Sequence, residues 1–217
     1  GFMTGAAMLG VRPRGVLATD QERLVLLVVP LAVAVEIWIA IRPRSVAQMA
    51  VARGIAAVSC GPLLLLGSVY LTGGGGGWSP VERVFILVGL GMLVLVPWLT
   101  LAAVQQRRPD PTALLTLAVT SLAAGVTTML SGYASAGQLV LPLAATLAVA
   151  AVAVLLVASP RASGAVGVGW ICLSSVLCIG RFFGSLTTLD GVLLGLTPLI
   201  CLLGDCRPLC TWPTWPR

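Results

Sequence analysis

The chain contains no histidine, lysine or asparagine. These absences remove a required group from most familiar membrane enzymes, because retinal Schiff bases need lysine, zinc and bis-histidine haem sites need histidine, and Ser-His or Ser-Lys catalysis needs one of the two. N-linked glycosylation is excluded as well, since it needs asparagine. We therefore expect a protein that is not an enzyme, with no cofactor and no metal site.

Charge is also scarce. Only 9% of the residues are charged and 58% are hydrophobic, with a mean hydropathy of +1.05, whereas soluble domains carry roughly 25% charged residues. The thirteen basic residues are all arginines, and they lie singly or in pairs at the ends of apolar runs. This distribution sets membrane orientation and does not suggest nucleic-acid binding. We expect an integral membrane protein whose main partner is the lipid bilayer.

Helix-start motifs divide the chain into spans. Four capping boxes, in which a Ser or Thr pairs with an acid or amide three residues later, are Thr19 with Glu22, Ser45 with Gln48, Ser79 with Glu82 and Ser135 with Gln138. Thr187 with Asp190 is a related start. Together with weaker signals these starts predict helices at roughly 20–41, 46–71, 80–104, 111–132, 136–158, 164–183 and 188–204.

The predicted fold is an all-α polytopic transmembrane bundle of seven helices, with six as the alternative because the last helix is the shortest. A span needs about 20 apolar residues, so a chain of 217 residues has room for one such bundle. Residues 1–18 are predicted to form a short N-terminal tail, 19–204 the transmembrane domain and 205–217 an interfacial tail.

Arginines at the loop ends predict the orientation. More of them lie on the side of the link between the first two helices, with Arg42 and Arg44, than on the opposite side. Because cytoplasmic loops carry an excess of basic residues, we expect the N-terminus outside and the C-terminus in the cytoplasm of a plasma (inner) membrane.

Glu36 is the one acid well inside a predicted span, and Arg53 is the one such arginine. The other acids lie at predicted helix starts, where the helix dipole favours negative charge, or after the last helix. At about 1.5 Å per residue, Glu36 lies roughly 7–8 Å from the end of its helix and Arg53 roughly 10 Å from the start of the next. Because these helices are antiparallel neighbours, we expect an intramembrane ion pair.

Three roles are open for these two groups. In the first, Glu36 alternates between Arg53 and a proton or cationic solute on a transport pathway. In the second, the pair fixes the register of the first hairpin and offsets the cost of intramembrane charge. In the third, both side chains extend separately to the membrane surface. One acid without a second titratable partner makes a poor proton relay.

A stripe of threonines follows the predicted fourth helix. It consists of Thr112, Thr116 and Thr120 at four-residue spacing, with Thr127 and Thr128 further along. Such a stripe can line an aqueous path. It can also pack between helices, because threonine often bonds back to a carbonyl of its own helix, and we favour packing.

Six cysteines occur without a C-x-x-C motif. Four lie inside apolar runs, where free cysteine behaves as a small hydrophobe. Cys206 and Cys210 follow the last predicted helix, where a juxtamembrane thiol is a candidate for lipidation. We favour an unmodified interfacial tail.

Three classes of function remain, of which an enzyme ranks last because, without His or Lys, its candidate groups are isolated Cys and Ser residues and Glu36. A non-catalytic membrane subunit or scaffold, with other membrane subunits or a second copy as partners, is favoured because caps, orientation and packing account for nearly all polar residues. The alternative is a small-solute or proton-coupled transporter that uses Glu36, Arg53, the threonine stripe and the proline-kinked helices.

Overall fold

The computed structural model describes residues 19–41, 45–72, 78–107, 111–157 and 163–199, and each regular element in these ranges is helical. The helices are α1 (Asp20–Ile41), α2 (Val46–Leu64), α3 (Pro80–Arg107), α4 (Thr112–Leu130), α5 (Ala134–Val157), α6 (Ser163–Phe183) and α7 (Thr188–Leu196). A single helical turn, Val69–Thr72, lies between α2 and α3. The predicted all-helical bundle is confirmed.

Six of these helices, α1 to α6, are long and apolar enough to cross a membrane. The protein is therefore a multi-pass membrane protein. Helix α7 has 9 residues, which gives it a length of about 13–14 Å, whereas the hydrocarbon core is about 30 Å thick. The predicted seventh helix extended to residue 204, and its last part lies outside the described residues.

Most of the predicted capping interactions form. Reciprocal capping boxes begin α1 and α2, and the same pair of bonds joins Ser79 and Glu82 before α3. The Thr187 hydroxyl accepts the backbone N–H of Asp190 at the start of α7. Each cap satisfies backbone N–H groups that a helix start leaves without partners, which is why these starts were visible in the sequence.

The predicted start of α5 at Ser135 is wrong. The helix already begins at Ala134, and the Ser135 hydroxyl instead accepts a hydrogen bond of 2.5 Å from the side-chain amide of Gln21 on α1. Ser135 lies inside the first turn of α5 and not before it, so its hydroxyl cannot act as the N-cap of this helix.

Helix α2 is shorter than the predicted 46–71. It ends at Leu64, and Gly67 has a positive φ of 69° in the turn that follows. Glycine adopts this left-handed conformation without a Cβ penalty and commonly follows helix ends. The Arg23 guanidinium donates to the Leu64 carbonyl at 3.4 Å, which satisfies one of the carbonyls freed at the end of the helix.

Helix α1 contains a π-helical turn at Leu24–Val28, where the N–H of Val29 bonds to the Leu24 carbonyl. Pro30 lies two residues after this turn and has no N–H to donate. Wider turns of this kind accommodate a break in the regular hydrogen-bond ladder. The π turn thus lies at the position where proline removes a bond.

Helix α6 is the centre of the bundle. It packs against all six other helices, and 72% of its most apolar 18-residue stretch is buried, against 28–50% for the other five spans. Glycines permit this packing: a Cβ on Gly169 would lie 2.6 Å from Leu147 Cδ2 on α5, closer than carbon atoms approach. Helices α4 and α5 form the most extensive pairwise contact around this centre.

Candidate functional site

Glu36 on α1 and Arg53 on α2 form a bidentate ion pair. Arg53 Nε donates to Glu36 Oε1 at 2.9 Å, and Arg53 Nη2 donates to Glu36 Oε2 at 3.0 Å. Both residues are buried, with 7% of Glu36 and 4% of Arg53 exposed. The fork geometry of guanidinium matches the two carboxylate oxygens, which makes this one of the stronger polar contacts in proteins.

Trp98 on α3 is the third member of the site. Its indole Nε1 donates to Glu36 Oε1 at 3.0 Å, and its ring lies 5.8 Å from the Arg53 guanidinium carbon. The residue is completely buried. A buried indole N–H requires an acceptor, and an aromatic face attracts a cation, so Trp98 contacts both charges. We call Glu36, Arg53 and Trp98 the ion-pair triad.

Glycines on α6 close the site from the fourth side. A Cβ on Gly167 would lie 2.5 Å from both Glu36 Oε1 and Trp98 Nε1. Gly164, one turn earlier, faces the Glu36 side chain, with 3.5 Å between the built Cβ and Glu36 Cβ. Only glycine at position 167 leaves room for the hydrogen bond between Trp98 and Glu36. Helix α6 thus forms a wall against the triad.

The electrostatics of the triad follow from this enclosure. A lone charge within the bilayer costs at least a few kcal/mol, and in the triad each carboxylate oxygen accepts a charge-assisted hydrogen bond from Arg53. Trp98 adds a third bond to the carboxylate. Net charge is therefore cancelled at the site, and three of the roughly four acceptor positions of the carboxylate are already engaged.

The metal-ligating side chains among the described residues do not form a cluster at this site. Within residues 19–41, 45–72, 78–107, 111–157 and 163–199, no group of three or more His, Cys, Asp and Glu side chains is placed to hold a metal ion. Cys60 and Cys172 are buried thiols and Cys178 is half-buried. Cys206 and Cys210, the candidates for lipidation, lie outside the described residues.

The threonine stripe does not present one continuous polar surface. Thr112 is exposed and Thr120 is buried. Thr116 donates to the carbonyls of Thr112 and Ala113, and Thr127 donates to the carbonyl of Ala123. The hydroxyls of Thr116 and Thr127 thus donate their O–H to carbonyls of their own helix and have no second proton to donate.

Two of the cavities formed by the described residues lie along the bundle. One, of about 640 Å³, lies between α1 and α2 and is lined mainly by alanines and larger apolar side chains such as Val51 and Trp38. The other, of about 370 Å³, lies between α3, α6 and α7. Neither cavity is lined by a member of the ion-pair triad or of the threonine stripe.

A second polar cluster lies where α1 begins, beside the turn between α4 and α5. The Tyr133 hydroxyl lies 2.8 and 2.9 Å from the two carboxylate oxygens of Asp20 and donates to them. The neighbouring Gln21 bonds to Ser135. Burial, followed by the bond to the Asp20 carboxylate, raises the pKa of Tyr133 to about 12. This cluster fixes α1 to the α4–α5 turn.

Sequence reasoning identified neither Trp98 nor the role of Tyr133. One signal for Trp98 was present: it lies inside α3, next to Pro97, whereas membrane tryptophans are enriched at the interfaces. A tryptophan away from the interface needs an acceptor for its N–H. Trp170 on α6 shows the same behaviour, because its Nε1 donates to the Val94 carbonyl at 2.7 Å.

No family model matches the chain, and no curated protein or solved structure matches it. The function of this multi-pass membrane protein therefore has to be inferred from the geometry described above.

Proposed function

We propose that the protein is a non-catalytic membrane subunit or scaffold, and that the ion-pair triad holds its first three helices in register against α6. The observation that carries this proposal is the enclosure of the Glu36 carboxylate by three hydrogen-bond donors. Two Arg53 nitrogens and the Trp98 indole donate to it within 3.0 Å. A group enclosed in this way is suited to a fixed structural role.

A transport role requires more from the same residues. Glu36 would have to release Arg53 and accept a proton or cation, which leaves a guanidinium unpaired inside the bilayer and costs several kcal/mol. A path for the solute would also have to reach the carboxylate, and the two cavities described above are lined by other residues. The geometry therefore favours the structural role over the transporter alternative.

Two groups near the bundle centre are compatible with the scaffold role. The buried hydroxyl of Ser174 on α6 donates to a carbonyl of its own helix, and the neighbouring buried Cys172 is a free thiol. These groups stabilise or fill the bundle. A scaffold functions by binding partner proteins, which here are either other membrane subunits or a second copy of the chain.

The experiment that tests the proposal is purification from source membranes in a mild detergent, followed by light scattering and mass spectrometry. We expect a complex heavier than the 22.3 kDa chain, with a stoichiometric membrane-protein companion or a second copy. A monodisperse monomer without a companion would contradict the scaffold role.

A second arm addresses transport directly. Protein reconstituted in liposomes with an internal pH-sensitive dye should show no proton flux above that of empty liposomes. Flux that disappears in Glu36→Gln while the melting temperature stays unchanged would overturn the structural role of the triad.

A further inference from the structure

The cavity between α3, α6 and α7 is a groove with α6 as its floor. Helices α3 and α7 each contact α6 but make no extensive contact with each other, so their facing sides stay apart. Along the floor the groove extends from Trp170 to Phe182, which corresponds to roughly 18 Å at the α-helical rise. We call it the Arg181 groove.

The lining of the Arg181 groove follows helical periodicity on its walls. Helix α3 contributes one face that includes Ile86, Leu90 and Leu93, and α7 contributes Val192 and Leu196. Such i, i+3 and i+4 spacings place each set of side chains on one side of its helix. The groove is therefore an apolar channel along the bundle and not an irregular gap.

One end of the groove carries a positive charge. Arg181 lines it near the end of α6, and its Nε donates to the hydroxyl of Thr188 on α7 at 2.8 Å. Its guanidinium carbon also lies 5.9 Å from the Phe182 ring. No carboxylate among the described residues forms an ion pair with Arg181, so its charge is available to an anion at the mouth of the groove.

We propose that the Arg181 groove binds an anionic phospholipid, with one acyl chain along α6 and the phosphate on Arg181. The order of the features matches this molecule: a cation lies at the end of a span, where headgroups are found, and an apolar channel runs from it along α6. The Thr188 hydroxyl holds the guanidinium at the mouth of the groove.

The groove has a volume of about 370 Å³. This volume lies at the lower end of the roughly 300–1,000 Å³ typical of small-molecule sites. A flexible hydrocarbon chain fits a channel of this size.

Native mass spectrometry of the delipidated protein tests the proposal. The probe is an equimolar mixture of phosphatidylglycerol and phosphatidylcholine with identical acyl chains. We expect the wild type to retain one phosphatidylglycerol in preference to phosphatidylcholine. Arg181→Gln should lower this preference about fivefold, the factor that one arginine near a membrane surface contributes.

Val192→Trp should abolish tight binding of both lipids because it fills the groove. Its matched control is Leu193→Trp, since Leu193 is the next residue of α7, is exposed and does not line the groove. The control for Arg181→Gln is Arg83→Gln, which removes an arginine near the start of α3 that lies outside the groove lining. Arg181 is exposed, so its variant tests the proposal even if Val192→Trp misfolds.

Three results would overturn the proposal. The first is equal retention of both lipids by the wild type, which would indicate unspecific filling of an apolar surface. The second is an Arg181→Gln variant that keeps the wild-type preference. The third is a Val192→Trp variant that keeps its lipid but loses a companion protein, which would make the groove a protein interface.

Discussion

Gly167 on α6 faces Glu36 on α1 so closely that a Cβ at position 167 would lie 2.5 Å from Glu36 Oε1. Helix α6, the centre of the bundle, thereby contacts the buried carboxylate of the first hairpin. The close packing of α6 and the geometry of the ion-pair triad therefore both require a residue without a side chain at position 167.

Gly167→Ala should destabilise the protein. The new methyl group has to displace the Glu36 carboxylate or the Trp98 indole, and overpacking of a well-packed core costs about 1–3 kcal/mol. Thermal unfolding in detergent, followed by tryptophan fluorescence, measures the loss. Gly89→Ala on α3 is the matched control, since nothing lies within 4 Å of its built Cβ. It should be neutral or stabilising by about 0.5–1 kcal/mol. Equal effects of both changes would contradict the close contact.

Trp98→Phe should also lower stability, because it keeps an aromatic ring beside Arg53 and removes the hydrogen bond to Glu36. Hydrogen bonds to charged groups contribute about 1.5–3 kcal/mol, so we expect a loss of this size in chemical or thermal unfolding. Introduced into Glu36→Gln protein, the same change should cost less, since the acceptor is no longer charged. A loss that is the same in both backgrounds would show that Trp98 acts through packing alone.

The sequence predicts two members of the ion-pair triad and not the third. Depth along two helices joined by a short link places Glu36 and Arg53 at one level, and this is a local property of the first hairpin. Trp98 and Gly167 are distant along the chain, and no local pattern states which faces of α3 and α6 meet α1. Helix packing of this kind depends on the whole bundle, so the sequence alone could not supply it.

The helix boundaries show the same contrast between local interactions, which the sequence predicts, and tertiary interactions, which it does not. Starts at which a capping box forms, such as Ser45 with Gln48, were predicted to the residue because the interaction is local, whereas the start of α5 was predicted two residues too late. The end of α2 was predicted too late, since Gly67 in its left-handed conformation and the Arg23 side chain determine it together. Arg23 comes from another helix, and its contribution is invisible to local patterns.

The Tyr133 hydroxyl should ionise about two pH units later than an ordinary tyrosine. The chain has two tyrosines, so a Tyr70→Phe variant reports Tyr133 alone through tyrosinate absorbance at high pH. Because burial and the Asp20 carboxylate raise the pKa of Tyr133 to about 12, the midpoint should lie near that value in the folded protein, against about 10 after unfolding.

The sign of the accompanying stability change follows from linkage. A group whose pKa is higher in the folded state stabilises it at pH values below the unfolded pKa, and this contribution disappears as the pH rises through the folded pKa. Stability should therefore fall between about pH 10 and pH 12, and Tyr133→Phe should remove this part of the pH dependence. A folded-state midpoint near pH 10 would contradict the buried contact with Asp20.

The number of spans has a direct topological consequence. The arginine distribution predicts the N-terminus outside and the C-terminus in the cytoplasm, an arrangement that requires an odd number of crossings. Reporter fusions at both ends should therefore give signals on opposite sides of the membrane. Signals on the same side would mean that α7 and the residues after it do not cross, and that the protein has the six spans α1 to α6.

The structural role of the ion pair is tested most directly by a double-mutant cycle of Glu36→Met and Arg53→Met in thermal unfolding. Each single change leaves one buried charge without its partner, so we expect losses of about 3–5 kcal/mol. The double variant removes both charges and should lose less than the sum of the single losses by about 0.5–3 kcal/mol. Additive losses, or single variants as stable as the wild type, would contradict the account of Glu36 and Arg53 as a structural pair.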